Sequence, residues 1–178
     1  MVALMTKVAE RFRSYPRVGW VCQGIEDRGE VSDWCDKCGT AIRYVHVLGH
    51  NEVSEIVYVG CVCASKMEAD EAAAPEREKW FRKVRTWNWR LSARGNRYRN
   101  ISAGVYALNI VLAETPDGSR VRVTNRANND SVAHTFATED RALGWLAVTL
   151  EQLSSRKASP EEQRAAEAGE IYGDEQVA

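Results

Sequence analysis

The sequence predicts an α+β protein: a small cysteine-bearing unit, followed by an antiparallel sheet covered by a helix. Three observations carry that expectation. Four of the five cysteines fall between positions 35 and 63 as two close pairs. Between positions 87 and 136 the apolar residues recur at near two-residue spacing, broken by turn signals. A leucine stripe at helical spacing, Leu143, Leu146, Leu150 and Leu153, follows that run. With 178 residues and 44% hydrophobic content, the chain can bury a core.

Taken in order, residues 6–15 space Val8, Phe12 and Tyr15 at helical intervals, and Pro16 ends that first helix. Residues 18–22 form a β-prone run, closed by the turn-forming residues 26–29. Cys35, Cys38 and Gly39 mark a tight turn. Two β-prone runs, 41–48 and 55–59, are joined by Gly49, His50, Asn51 and Glu52 in a hairpin that leads into Gly60, Cys61, Val62 and Cys63. Residues 64–74 are rich in good helix formers, so a helix begins at or beside the second cysteine pair and Pro75 stops it. A further helix then sets Trp80, Phe81, Val84 and Trp87 on one face and its cations on the other.

Paired strands follow over 87–91 and 97–101, about a turn at 93–96. A second hairpin joins 105–113 to 120–124 through Thr115, Pro116, Asp117 and Gly118, and residues 131–136 add a strand. Thr138 caps the helix that bears the leucine stripe. From Ser154 the residues are small, charged and polar, so a disordered acidic tail is expected. The expected division is therefore 1–75, 76–153 and 154–178.

The first residues lack the apolar run of a secretory signal, and no stretch approaches the roughly 20 apolar residues that span a bilayer. A cytoplasmic location without membrane contact is expected. In that reducing compartment the cysteines stay thiols rather than disulfides. Paired thiols suit a metal instead: a structural zinc ion takes four tetrahedral ligands, which needs two ligand-bearing turns brought face to face, and a hairpin between the pairs does this. One structural Zn2+ held by Cys35, Cys38, Cys61 and Cys63 is expected. The single residue between Cys61 and Cys63 is tighter than usual, which leaves His46 or His50 as a replacement for one of that pair. Cys22, the odd cysteine, is expected to be a small buried apolar side chain.

The run from Cys35 to His46, followed by Val59, Gly60, Cys61, Val62, Cys63 and Ala64, resembles uncharacterised bacterial and phage zinc-ribbon proteins of the treble-clef kind. That resemblance covers roughly residues 33–68 and is echoed in residues 89–98. It implies a knuckle, a hairpin and a helix N-terminus that together supply the zinc ligands, and it implies no activity.

Charge is unevenly distributed. Residues 76–99 hold nine basic residues against Glu76 and Glu78, a local net charge of +7 in a chain whose total is −1. Trp80, Phe81, Trp87, Trp89 and Tyr98 are interleaved with these cations, the mixture that neutralises phosphates and stacks on unpaired bases. The candidate binding residues are Arg82, Lys83, Arg85, Trp89, Arg90, Arg94, Arg97, Tyr98 and Arg99, with Arg90, Arg94, Arg97 and Arg99 crowding one end of a hairpin as a phosphate clamp. The aromatics at helical spacing are expected to face the core. No phosphate loop, paired-carboxylate frame or serine elbow is present, so no enzyme is expected. Two readings follow: a zinc-stabilised protein that binds DNA or RNA, or a phage or mobile-element factor that binds and modulates a host nucleic-acid enzyme or defence complex.

Overall fold

In the computed structural model, residues 12–156 are described, and these form ten strands and three helices. They are β1 (Val21–Asp27), β2 (Asp33–Trp34), β3 (Ala41–Ile42), β4 (Tyr44–His50), β5 (Val53–Val59), α1 (Cys61–Glu68), α2 (Ala73–Arg85), β6 (Arg90–Leu91), β7 (Arg97–Ala103), β8 (Tyr106–Thr115), β9 (Gly118–Asn125), β10 (Ser131–Phe136) and α3 (Glu139–Ser155). All strand pairs are antiparallel, so the chain is α+β. No described helix is long and apolar enough to cross a membrane. The helix expected over 6–15 lies largely outside the described residues.

Two compact units divide the chain. The first holds the described residues up to Thr86 together with Leu143–Thr149, and the second holds Trp87–Ala142 with those from Leu150 on.

In the first unit the sheet order is β1-β4-β5, and a two-stranded ribbon, β2-β3, flanks the first cysteine turn. The first strand runs later than expected, through Glu26 and Asp27, because β4 offers it a full partner from Gly49 to Tyr44. α1 packs on β4 and β1, and α2 packs on α1 and β1. Their core is Trp20, Cys22, Cys35, Leu48, Val57, Val59, Cys63, Ala64, Met67, Ala74 and Val148. Cys22 is 3% exposed, and its thiol donates to the Gly24 carbonyl at 3.2 Å, as a small buried side chain should.

Pro75 does not separate the two helices. The break comes at Ala69, whose left-handed backbone (φ 58°) ends α1, and Asp70 then accepts from the amides of Ala72 and Ala73. Pro75 sits inside the first turn of α2, where backbone N–H groups lack intrahelical partners and its missing donor costs nothing. The inward stripe of α2 also departs from expectation: Ala74, Arg77, Phe81 and Val84 are buried, Trp80 is half-buried, and Trp87 lies past the helix end. A supposedly solvated cation is therefore part of the core.

Asp27, at the end of β1, gathers two arginines. Its side chain is 3% exposed, Arg43 donates to both carboxylate oxygens at 2.8 and 2.9 Å, and Arg85 donates to Oδ2. The Arg43 bond, reinforced by the Gly29 amide and Arg85, holds this carboxyl well below the usual carboxylate range. A depressed folded-state pKa stabilises the fold above the unfolded-state value, near 4, and that contribution fades as pH falls through the folded-state value. Asp27→Asn is thus expected to melt below wild type at pH 7, with the gap shrinking steadily in melts taken below about pH 4.

Gly144, inside α3, meets Ile25 of the same unit. A Cβ there would stand 2.0 Å from the Ile25 carbonyl oxygen, a backbone atom that cannot swing aside. Glycine to alanine in an ordinary helix interior gains up to about 1 kcal/mol. Here the sign reverses, and Gly144→Ala is expected to lose roughly 1–3 kcal/mol by overpacking, measurable in urea denaturation.

The second unit is a five-stranded sheet ordered β10-β9-β8-β7-β6. Alternation over residues 108–112 of β8 and 120–123 of β9 buries Leu108, Ile110, Leu112, Val121 and Val123 on one face. Thr138 caps α3 by accepting from the Arg141 amide at 3.4 Å. Both ends of α3 are tied to this unit: Arg97 of β7 donates to Glu139 at 2.6 and 2.9 Å, and a Cβ on Gly104 would come 3.0 Å from the Leu153 carbonyl. Ser154 and Ser155 belong to α3 rather than to a tail, since their hydroxyls donate back to the carbonyls of Glu151 and Gln152. The tail expected beyond them lies outside the described residues.

Candidate metal centre

The first cysteine turn is made by backbone geometry. The Cys35 amide donates to the Thr40 carbonyl and the Gly39 amide to the Cys35 carbonyl, both at 2.8 Å, and Gly39 takes a left-handed φ of 69°. β5 holds the turn in place: the Asp36 amide donates to the Tyr58 carbonyl at 2.8 Å, and the Tyr58 amide donates to Asp36 Oδ2 at 2.7 Å. β5 ends at Val59, and extended Gly60 (φ −78°, ψ 164°) turns the chain into α1, which begins on Cys61. Gly60 is also the residue that fits, because a Cβ would approach Ile42 Cγ2 to 2.8 Å.

This brings Cys35, Cys38 and Cys63 together, with their sulfurs all within 4.8 Å of one another. Cys35 and Cys63 are buried and Cys38 is exposed, so the cluster sits at the edge of the core. Tetrahedral zinc–sulfur bonds of about 2.3 Å place two sulfurs a little under 4 Å apart, so the three thiols fit a metal ion of that size. The Cys63 thiol and the backbone amides of Gly60, Cys38 and Lys37 around the Cys35 sulfur hold its thiol below the ordinary range, against the effect of burial. Cys63, beside Cys35 and Cys38 and partly desolvated, is pushed the other way. Thiols give up their protons on binding a metal, so a cation held here would replace them.

The structure places Cys61 elsewhere. Its sulfur groups with His46 and Glu78, whose ligand atoms lie within 4.8 Å of it and of one another. Burial and the neighbouring Glu78 carboxylate push the Cys61 thiol up to about 11. The spacing explains this: in a helix, residues two apart point to different sides, so Cys61 and Cys63 diverge when α1 starts at Cys61.

His46 is fully buried and bonded on both ring nitrogens. Arg77 Nη1 lies 3.1 Å from Nδ1, and Glu78 Oε1 lies 3.2 Å from Nε2. A guanidinium can only donate, so Nδ1 accepts and Nε2 carries the hydrogen that goes to Glu78. A ring in this tautomer has no lone pair on Nε2 to give a metal. Arg77, 1% exposed, completes the network with two bonds to Glu68, at 2.7 and 3.1 Å. The other histidine, His50, stacks on Trp20 at 5.3 Å and accepts from the Glu52 amide.

The candidate binding residues are dispersed by the fold. Arg85 is held by Asp27, and Arg97 by Glu139 and Glu114. Arg99 donates to the Asn88 carbonyl at 2.9 Å and lies over the Trp87 ring, against which Trp89 also packs edge-on. The phosphate clamp does not form as expected. Tyr98 pairs opposite Arg90 and so shares its face of the sheet, whereas Arg97 and Arg99 lie on the other face. Arg82, Lys83 and Arg94 remain exposed, with Arg82 over Tyr44 and Lys83 over Trp80. Reading the segment alone missed Arg120 and Arg122 of β9, which are exposed on the Tyr98 side; their alternation with Val121 and Val123 was the available signal.

No protein-family model, no curated protein and no solved structure matches the chain.

Proposed function

We propose that the chain is a non-enzymatic, zinc-stabilised nucleic-acid-binding protein of the cytoplasm. Zinc is the metal best suited to the thiol cluster, since it favours tetrahedral thiolate sites and needs no redox partner. Cys35, Cys38 and Cys63 would supply three of its four ligands and Zn2+ would supply cross-linking, joining the first turn to the start of α1. Turn, hairpin and helix N-terminus follow one another in the order of a treble clef, and we read the unit as one. Sulfur donors spread their charge onto the ion and leave it a weak Lewis acid, which supports a structural role.

The observation that carries the nucleic-acid reading is that Arg82, Lys83 and Arg94 are exposed and form no ion pair among the described residues. Internal pairing of Arg77, Lys79, Arg85 and Arg97 lowers the usable charge below the local +7, so affinity should be modest and salt-sensitive. Fluorescence anisotropy of labelled DNA and RNA at low ionic strength tests this, with binding expected to weaken linearly in log salt. No binding to any probe would transfer the reading to the protein partner, a host enzyme or defence complex. That alternative draws on Trp34 and Val62, 52% and 68% exposed, each next to a cysteine in sequence.

A further inference from the structure

The five-stranded sheet of the second unit has an open face whose composition follows from register. Residues directly opposite in an antiparallel pair point the same way. One row across the sheet therefore runs Arg90, Tyr98, Val111, Arg122, Ala133. A flanking row holds Ala113, Arg120 and Thr135, and on the other side comes Asn100, Asn109, Thr124 and Ser131. The bond from Asn109 Nδ2 to Asn100 Oδ1, at 2.8 Å, shows two of these side chains meeting on that face. None of these positions is acidic. Arg90, Arg120 and Arg122 are exposed, and Tyr98, Val111 and Ala133 are half-buried, the pattern of a sheet surface open to solvent. Arg120 and Arg122 have no ion-pair partner among the described residues.

We propose that this face, through Arg90, Arg120, Arg122 and Tyr98, is the docking surface for a single strand of nucleic acid. The proposal rests on the nucleic-acid reading above and names its site and substrate class. Charge selects a polyanion, because Arg120 and Arg122 form no ion pair among the described residues and stand in rows of strand positions that hold no acidic residue. Geometry selects a single strand. Arg120 and Arg122, two residues apart, are spaced by roughly 7 Å along the strand, while Tyr98 lies two strands away, roughly 10 Å from Arg122. Phosphates along β9 and a base over Tyr98 can then be met together, and a base stacks on tyrosine only when it is unpaired. The half-buried Val111 and Ala133 between and beyond these groups leave the surface flat enough for a strand to lie on.

The test is anisotropy with fluorescein-labelled oligothymidylate, oligouridylate and a duplex of equal length, across a salt series. Arg120→Glu/Arg122→Glu is expected to weaken single-strand binding at least about tenfold. Arg120→Gln/Arg122→Gln, which keeps the solvent face neutral if the charge reversal perturbs folding, should lower the slope of log affinity against log salt by about 1.4, taking about 0.7 per phosphate. Tyr98→Ala should cost roughly 5- to 100-fold, the stacking of one base. If wild type binds no probe, the nucleic-acid reading itself falls. If wild type binds but the glutamine pair matches it in affinity and slope, the sheet face is wrong while the reading stands. Tighter binding of the duplex, with Tyr98→Ala silent, would overturn the single-strand assignment.

Discussion

Cys38→Ser is expected to strip the protein of its metal and to lower the melting temperature of the first unit by about 12 °C or more. Cys38 is exposed, so a serine there removes one sulfur without opening a cavity, and any loss of stability comes through the ion. Metal binding is folding free energy wherever the unfolded chain has no formed site, and structural zinc contributes about 10–16 kcal/mol in peptides that lack a core of their own. The first unit has a core, from Trp20 to Val148, so a smaller share is expected here, at least about 3 kcal/mol. Metal analysis and thermal melts with and without a strong chelator check this. The chelator should lower the wild-type melt to that of the variant and leave the variant unmoved. Cys61→Ala is the comparison that reads the ligand set. Its thiol belongs with Glu78 and His46, so this variant is expected to keep about one equivalent of metal. Full metal content in Cys38→Ser, or its loss in Cys61→Ala, would refute the three-sulfur assignment.

Glu68→Ala should destabilise the first unit by about 3–5 kcal/mol. Arg77 is 1% exposed and Glu68 bonds its guanidinium twice, so removing the carboxylate takes the bidentate partner from a buried cation. The loss is one of desolvation rather than of packing. Arg77→Met/Glu68→Gln, which deletes the cation and leaves a neutral partner, should therefore recover most of the stability even though it removes more interactions. Urea denaturation of wild type, single variant and double variant reads the comparison directly. A double variant less stable than Glu68→Ala would show that the network contributes through geometry, by holding His46 and α2, and not through charge balance.

Much of this protein is legible in its sequence where local chemistry decides. The cysteine spacing determined the first turn, the hairpin run determined that β4 and β5 would pair, and Thr115 to Gly118 determined the turn between β8 and β9. Thr138 marked the start of α3, and Leu143, Leu146 and Leu150 mark its buried stripe, with Leu153 half-buried. Each depends on residues a few positions apart, where turn chemistry and periodicity suffice.

Only tertiary structure decided the rest. Arg77 sits at a position of α2 that sequence assigns to solvent, and it is buried because Glu68 and His46, from other elements, are there to receive it. Cys61 was separated from Cys63 by where α1 begins, directly after the extended Gly60. Arg97 and Arg99 were turned away from Arg90 by strand register, since a period of two sends neighbours to opposite faces. The same register set Arg120 and Arg122 on the same sheet face as Tyr98, more than twenty positions away, a juxtaposition that no window of the sequence contains.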